Sequence, residues 1–329
     1  MLTQEDLKLL EKKGITAEML EAQINRFKTG FPYLRVKSVA TVGNGITKLA
    51  AAEVKHYTDV WSSRLAEGCK VVKFVPASGA ASRMFKNLFE FVSSGRQVPE
   101  TDFEKKFFEG ITKFAFYDAL NEACIKKHGK DISTLVDESR YVDVVKCLIT
   151  DAGLDYGSLP KGLLSFHKTG TTVHTPVEEH LEEGAQYAKD KNGSVNIHFT
   201  VSPEHRGAFL KLIEARIPEV EKEWGVKYDI SMSEQKSSTD TVAVTMDNVP
   251  YRENGKLVFR PAGHGALIEN LNDIDADVVF IKNIDNVVPR KLRDVTVEYK
   301  KVIGGVLIEV QKQIAEYVKL LESGKYTME

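Results

Sequence analysis

The residues that could do chemistry first appear in a loop of small side chains that ends in two cations. The stretch FVPASGAASRMFKNL, residues 74–88, begins like a strand and continues like an amphipathic helix. A helix N-terminus offers unpaired N–H groups and partial positive charge, and small residues let a phosphate approach them. The small residues are Gly79, Ala80, Ala81 and Ser82. Arg83 and Lys86 would then hold phosphate oxygens, the arginine as a bidentate fork and the lysine as a point charge.

Two well-known phosphate-binding patterns do not match this loop. A Walker loop needs a second glycine before Lys-Ser/Thr, and GAASRMFK has neither feature. A dinucleotide fingerprint needs more glycines than the single one found here. Taken alone, the stretch therefore leaves an ordinary strand–turn–helix with two solvated cations as an open alternative.

Further pieces of the chain carry polar residues at places where a sheet could use them. Lys161 lies between a proline and a glycine in SLPKGLLSF, and Gln235 follows the strand-like YDISMS. Asp285 ends the apolar run of IKNIDN. A glycine-rich turn in RPAGHGAL contains Gly263, His264 and Gly265. Because α/β sheets bind ligands at the carboxyl ends of their strands, these residues are site candidates, although each could also be polar loop filler or a cap.

The elements expected to position these residues alternate after residue 70. The predicted strands are KVVKFVPAS, SVNIHFTVS, VKYDISMS, DTVAVTMD, GKLVFR and DVVFIKNID. Helices or glycine loops separate them, TPVEEHLEEGAQYAK being one capped helix, and this alternation indicates an α/β layered sheet. We predict a helical N-terminal region over 1–68, an α/β domain over 69–290 with a helical insertion at 96–159, and a C-terminal helical segment over 291–329.

Composition narrows the class of protein. The 329 residues are 42% hydrophobic and 28% charged with a formal net charge of −2, which is a globular composition without the basic excess of nucleic-acid or membrane-surface binders. The polar N-terminus and the lack of an apolar run of ~20 residues predict a cytoplasmic protein without a membrane span. Three cysteines without a CxxC pair support neither a disulfide framework nor a cysteine zinc site.

Five stretches of the chain, in this order, resemble the motifs of UDP-sugar pyrophosphorylases, including the UDP-N-acetylhexosamine pyrophosphorylases. They are PASGAASRMFK, PKGLLSF, SEQKSST, RPAGHGAL and IKNIDNV. Those sugar nucleotidyltransferases carry a glycine-rich loop ending in arginine, a Pro-Lys-Gly, and a glutamine after a strand. A P-x-G-N-G-G loop and a strand ending in V-D-N follow. The resemblance covers roughly residues 70–290, and its last two motifs are the most specific.

The resemblance implies a Rossmann-like, mainly parallel sheet of the nucleotide-diphospho-sugar transferase type. It implies that residues 79–82 cradle the triphosphate, that Arg83 contacts its outer phosphates with Lys86 close by, and that Lys161 stands near the α-phosphate or the sugar phosphate. The uracil edge would be read by Gln235 and the turn 263–265. Asp285 would hold Mg²⁺, and the substrates would be UTP and a sugar 1-phosphate.

The chemistry of that reaction suits such residues. The attacking sugar phosphate is already anionic, so the protein has to align the reactants and neutralise charge instead of supplying a base. Mg²⁺ retains several waters, so one or two carboxylates suffice to hold it.

The chain also departs from the family pattern. Alanines stand where the family favours glycine in the first loop, and His264 and Ala266 replace an asparagine and a glycine of the G-N-G-G turn. The interval between Gly79 and Lys161 is much longer than the family usually has. Only residues 286–329 follow Asp285, so we expect either a shortened chain or a sugar site built differently. Two alternatives stay open, a glycosyltransferase that uses a nucleotide-sugar and a non-catalytic nucleotide-sugar binding protein; the sugar and the oligomeric state stay undefined.

Overall fold

The structure is a computed structural model that describes residues 2–79, 81–324 and 326. Packing divides the chain into two units. One consists of Met1–Val54 with Ser233–Asp275, and the other of Lys55–Met232 with Ala276–Glu329. We call the second the sheet unit. This division differs from the predicted boundaries at 68/69 and 290/291, because Ser233–Asp275 groups with Met1–Val54.

The helices are α1 (Gln4–Lys13), α2 (Ala17–Thr29), α3 (Ala51–Glu67), α4 (Lys86–Ser93), α5 (Asp102–Glu109), α6 (Tyr117–His128), α7 (Ile132–Asp137), α8 (Tyr141–Ile149), α9 (Pro176–Tyr187), α10 (Arg206–Trp224), α11 (Ile268–Asn272) and α12 (Arg293–Ser323). The strands are β1 (Thr41–Val42), β2 (Gly45–Ile46), β3 (Val71–Pro76), β4 (His167–Thr169), β5 (Thr172–His174), β6 (Ser194–Thr200), β7 (Lys227–Ser233), β8 (Thr241–Val242), β9 (Arg252–Glu253), β10 (Lys256–Leu257), β11 (Phe259–Arg260) and β12 (Val278–Ile281). None of the helices in the described residues combines the length and apolar character that a membrane crossing requires.

The main sheet has four strands in the order β12-β3-β6-β7. β12 and β6 both run parallel to β3, with Val278 opposite Val71 and Asn196 opposite Val72. All six residues of β3 are buried, as expected for a central strand of a parallel sheet. The predicted α/β class with a parallel sheet is therefore confirmed, and KVVKFVPAS, SVNIHFTVS, VKYDISMS and DVVFIKNID supply its members.

Helices of the same unit cover the sheet. Core side chains from β6 pack with α9 and α10, while Trp61 of α3 packs with Phe280 of β12 and with the end of α9. α12 approaches α3 closely at Gly304 and Gly305: a Cβ on Gly305 would stand 2.0 Å from the Tyr57 carbonyl oxygen. The glycine pair thus lets the two helices come into backbone contact.

The helical insertion has its own apolar core. α4 to α8 bury Leu88, Phe91, Leu120, Leu135 and Leu148 in one cluster. Thr101 and Glu104 form a capping box that starts α5, and Arg96 donates two hydrogen bonds to the buried Glu104 carboxylate at 2.8 and 2.9 Å. The predicted helical texture of 96–159 is found in α5 to α8.

In the other unit, α1 and α2 pack on short strands from the far part of the chain. Leu10, Ile15 and Leu20 share a core with Val242 and Leu257. The strands predicted in DTVAVTMD and GKLVFR are present but short, as the two-residue strands β8, β10 and β11. The predicted helical region over 1–68 contains α1, α2 and α3, with an interruption between α2 and α3 where the small pair β1–β2 lies. The interruption contains Pro32 and three glycines, which disfavour helix.

Candidate functional site

The loop after β3 and the segment around Lys161 lie side by side at the carboxyl edge of the sheet. The Lys161 N–H donates to the Gly79 carbonyl at 3.2 Å, and the Ala81 N–H donates to the Leu159 carbonyl at 3.2 Å. The long interval between Gly79 and Lys161 is thus closed by the helical insertion, which returns the chain to the same edge. The contact also engages the Ala81 amide, which the resemblance had assigned to a phosphate.

Lys161 and Asp285 meet directly. The lysine ammonium donates to the Asp285 carboxylate at 2.5 Å, with 26% and 34% of the two side chains exposed. Asp285 lies just beyond β12, so this ion pair forms at the end of a strand that neighbours β3. Gly162 supports the arrangement, since a Cβ there would lie 2.7 Å from the ring of Phe209. The structure therefore brings together Gly79, Lys161 and Asp285, and leaves the pair accessible.

Two histidines that the sequence analysis did not select hold the segments of this edge. The His205 Nε2 donates to the Ser158 carbonyl at 3.1 Å, while its Nδ1 accepts from the Ser202 hydroxyl at 2.7 Å. His180 of α9 is fully buried and its Nε2 lies 3.2 and 3.1 Å from the carbonyl oxygens of Asn283 and Ile284. His205 therefore fixes the approach to Lys161, and His180 fixes the approach to Asp285.

Behind His180 lies a buried charged network between α9 and the sheet. Lys73, in the middle of β3, donates to the His180 carbonyl at 2.9 Å and to the Glu183 carboxylate at 3.2 Å. Lys282 also donates to Glu183, at 2.5 Å, and the Tyr187 hydroxyl does so at 3.1 Å. The network thus links the central strand, α9 and the residues that follow β12.

Burial sets the protonation of this network. Burial lowers the pKa of Lys73 to about 7, although Glu183 acts in the opposite direction. Burial alone would raise the pKa of Glu183, but Lys73 and Lys282 outweigh it and hold that pKa well below its usual range. Burial, with the Lys73 ammonium, also holds the pKa of His180 well below its ordinary value, so the imidazole is neutral at pH 7 and donates from Nε2.

The cations of the first loop line a concavity that includes neither Lys161 nor Asp285. Ser82, Arg83 and Lys86 are exposed and line a shallow concavity with Glu90, to which Lys86 forms an ion pair at 3.6 Å. The Arg83 guanidinium has no ion pair with the described residues. Gly79 has space for a Cβ and an ordinary φ, so its backbone does not require glycine. The predicted contact at Ala80 lies outside the described residues.

The residues predicted to read a base lie in the unit that contains Ser233–Asp275. In the amide orientation that satisfies both of its groups, Gln235 accepts from the Ala262 N–H at 2.9 Å and donates to the Ala262 carbonyl at 3.2 Å. Gln235 therefore holds the start of the glycine-rich turn. Gly263, His264 and Gly265 are exposed, and His264 begins a short 3₁₀ turn that leads into α11. Gln235 is therefore next to the turn 263–265, and the reading of a base by these residues stays a prediction.

A metal ion bound at the carboxyl edge of the sheet would need some of its ligands from a bound substrate. Among the described residues, no three His, Cys, Asp or Glu side chains are grouped so as to hold a metal. One accessible carboxylate, Asp285, fits Mg²⁺ that arrives with phosphate oxygens and water, because Mg²⁺ is bound in this way by one or two carboxylates. The residues present therefore fit a substrate-borne Mg²⁺ and do not form a metal cage.

The sequence contained one signal for the buried network. Lys73 stands in the apolar strand KVVKFVPAS, where an unpaired charge is too costly to bury and demands a partner. The capped helix predicted in TPVEEHLEEGAQYAK gave no sign that its acids would be buried, yet α9 is buried along its length except for Gln186. Their partners come from distant parts of the chain, with Arg293 bound to both Glu179 and Glu182.

Comparison with known proteins gives a family. A family model described as a domain of unknown function, DUF4301, matches residues 3–329, so the chain belongs to that family. The comparisons with curated proteins and with solved structures found no match.

Proposed function

We propose that this member of the DUF4301 family is a Mg²⁺-dependent sugar-1-phosphate nucleotidyltransferase. It would join UTP and a sugar 1-phosphate, giving a UDP-sugar and pyrophosphate. The sugar-phosphate oxygen would form a bond to the α-phosphorus of UTP, and the bond between that phosphorus and the bridging oxygen of the β-phosphate would break. The proposal concerns the sheet unit, where the phosphate-handling candidates lie.

The strand order carries the proposal. Numbered along the chain as strands 1 to 4, β3, β6, β7 and β12 lie across the sheet as 3-2-1-4. This order matches the first four strands of doubly wound nucleotide-binding sheets, in which ligands bind outside the carboxyl ends where the order reverses. The reversal here falls between β3 and β12, the two strands followed by Gly79 and Asp285. This coincidence supports a nucleotide-binding crevice of the Rossmann-like type.

The residues at that edge suit charge neutralisation. Lys161 and Asp285 neutralise one another in the structure. In the proposed complex, a substrate phosphate would pair with Lys161, and the Mg²⁺ bound to that phosphate would pair with the Asp285 carboxylate. Mg²⁺, when bound, would neutralise phosphate charge. Lys161 would then align the α-phosphate or the sugar phosphate, and His180 and His205 would keep the two segments in place from behind. Arg83, exposed and without an ion pair among the described residues, would contact the outer phosphates.

A glycosyltransferase is the second candidate, and one observation favours it. The Ala81 N–H already donates to Leu159, which leaves fewer loop amides for a triphosphate. An enzyme that uses a ready-made nucleotide-sugar has no γ-phosphate to hold. The two candidates therefore differ in what they require of Arg83.

The test combines ligand binding with turnover. The purified protein is first screened by thermal shift against nucleoside triphosphates and nucleotide-sugars, with and without Mg²⁺. Pyrophosphate release is then measured with UTP and a series of sugar 1-phosphates. We expect UTP with Mg²⁺ to raise the melting temperature, and Lys161→Ala and Asp285→Asn each to reduce turnover roughly a hundredfold, as loss of one charge-stabilising contact commonly does.

Lys55→Ala is the matched control and should leave turnover unchanged, because Lys55 forms an exposed ion pair with Asp59 on α3, away from Lys161 and Asp285 in sequence. Arg83→Ala should impair pyrophosphate release if the enzyme uses UTP. Transfer from a UDP-sugar that survives Arg83→Ala would select the glycosyltransferase. The absence of any thermal shift with every nucleotide tested would refute both candidates.

A further inference from the structure

A cavity that includes neither Lys161 nor Asp285 lies beside the helical insertion. It has a volume of about 490 Å³, within the range of roughly 300–1,000 Å³ typical of small-molecule sites. Its walls come from α5, from the segment that links α5 to α6, from the chain directly after Arg83, and from residues 156 and 164–166 on either side of Lys161 in the sequence. We call it the aromatic pocket, because its floor is formed by the buried rings of Phe85, Phe107 and Phe116.

The walls are held by contacts between rings. Phe114 stacks on Phe116 with 4.9 Å between centroids and an angle of 8°, and it also meets Phe107 at 5.5 Å. Phe116 packs edge-to-face against Tyr156 at 5.8 Å. Because the rings support one another, the cavity is pre-formed and a ligand does not have to open it.

Apolar side chains at the rim of the aromatic pocket are exposed to water. Met84, Phe103 and Phe114 are 45%, 41% and 38% exposed around the cavity mouth. Removing such surface from water is favourable by about 25 cal/mol per Å². The lining therefore favours an apolar body that fills the floor and covers the rim.

Polar groups of the pocket restrict the other end of the ligand. The Tyr156 hydroxyl donates to the Ser165 hydroxyl at 2.9 Å and accepts from the Ser165 N–H at 3.2 Å, so these groups satisfy one another. Among the described residues that line the pocket, Lys106 is the one with a charged side chain. It is exposed, and its ammonium has no ion pair with another described residue. One cation at the mouth of an apolar cavity complements one anionic head group.

We propose that the aromatic pocket binds an amphipathic molecule with an apolar chain and a single anionic head group that pairs with Lys106. The head group is a carboxylate or a phosphate monoester, and the chain lies on the aromatic floor. This inference does not depend on the nucleotidyltransferase proposal.

The experiment is isothermal titration of the full chain with dodecanoate, dodecyl phosphate and dodecanol, each below the concentration at which it aggregates. Wild-type protein should bind at least one of the two anions saturably and more tightly than dodecanol. Whichever anion binds more tightly identifies the head group. Lys106→Ala should weaken anion binding about tenfold, the size expected for loss of one charge-assisted contact, and leave dodecanol unaffected.

Lys105→Ala is the matched control, because Lys105 is an exposed neighbour on α5 that does not line the pocket. Ala115→Trp should abolish binding of all three ligands by filling the cavity, with circular dichroism used to verify folding. Lys106 is exposed, so its replacement tests the proposal even if Ala115→Trp misfolds. Failure of both anions to bind saturably would overturn the proposal, as would equal affinities in Lys106→Ala and Lys105→Ala.

Discussion

The close contact between α3 and α12 predicts that Gly305→Ala in α12 destabilises the protein, whereas Gly207→Ala in α10 does not. In Gly305→Ala, the new Cβ would lie 2.0 Å from the Tyr57 carbonyl oxygen, whereas real Cβ contacts lie at 3.0 Å or more. The two helices would therefore have to separate locally by about 1 Å, the difference between those distances. The obstructing atom belongs to the backbone, so no side-chain rotation can relieve the clash.

The cost can be set against the gain in helix propensity. Overpacking of this kind costs roughly 1–3 kcal/mol and sometimes more, while Gly→Ala in a helix gains about 1 kcal/mol. Separation of the helices would also loosen Trp61, which is fully buried beside the glycine pair. We expect Gly305→Ala to lower the free energy of unfolding by about 1–2 kcal/mol net, a fall of roughly 2–8 °C in melting temperature.

The assay is thermal unfolding of Gly305→Ala, Gly304→Ala and Gly207→Ala, followed by circular dichroism at one protein concentration. Gly304→Ala should cost less than Gly305→Ala, because its Cβ meets the Trp61 ring at 2.6 Å and a ring can shift. Gly207 lies in α10 with open space around it, so its replacement should be neutral or slightly stabilising. A Gly305→Ala protein as stable as the Gly207→Ala protein would refute the close approach of α3 and α12.

Three further predictions concern the buried polar groups and the thiols. Burial lowers the pKa of Lys73 to about 7 from an ordinary value of 10.5, so between these values the unfolded chain binds the extra proton and stability should rise with pH. Urea unfolding of the wild type from pH 7 to 9.5 should show the free energy of unfolding rising by up to about 1.4 kcal/mol per pH unit, and Lys73→Met should not show this rise. The same pH dependence in both proteins would contradict the prediction. Arg293→Met leaves the buried Glu179 and Glu182 without their shared cation. It should therefore lower the free energy of unfolding by about 3–5 kcal/mol in the same assay. A loss below about 1 kcal/mol would show that these ion pairs are dispensable for stability. All three thiols are buried, and burial raises the pKa of Cys124 to about 12. A disulfide reagent should therefore label none of them in the folded protein and all of them in guanidinium. Rapid labelling of the folded protein would contradict the packing.

Local patterns were sufficient for the strands and helices that carry strong periodicity. The buried strand KVVKFVPAS was found at Val71–Pro76, and the capped helix TPVEEHLEEGAQYAK at Pro176–Tyr187 with Thr175 as its N-cap. These elements are specified by neighbouring residues, through apolar runs and capping chemistry. Lys161 and Asp285 were assigned to one candidate site through the family resemblance, and their direct ion pair was not predicted.

Long-range pairing accounts for what the sequence could not predict. Nothing near Gln235 indicates that its amide holds Ala262, or that Ser233–Asp275 would group with Met1–Val54. The cations that pair with the acids of α9, Lys73, Lys282 and Arg293, come from distant parts of the chain. The roles proposed from the resemblance for Arg83, Lys161 and Asp285 stay predictions, because identical positions can serve either a transferase or a binding protein.

The shared core of the N-terminal helices has a consequence for synthesis of the chain. Lys13 is paired with Asp240, 227 residues later, and the apolar side chains beside it have partners at 242 and 257. At ~5–20 residues per second, a ribosome would need roughly 10–45 s to deliver those partners after α1 has emerged. During that interval the apolar faces of the first two helices lack these partners and stay in water, where a chaperone could bind them.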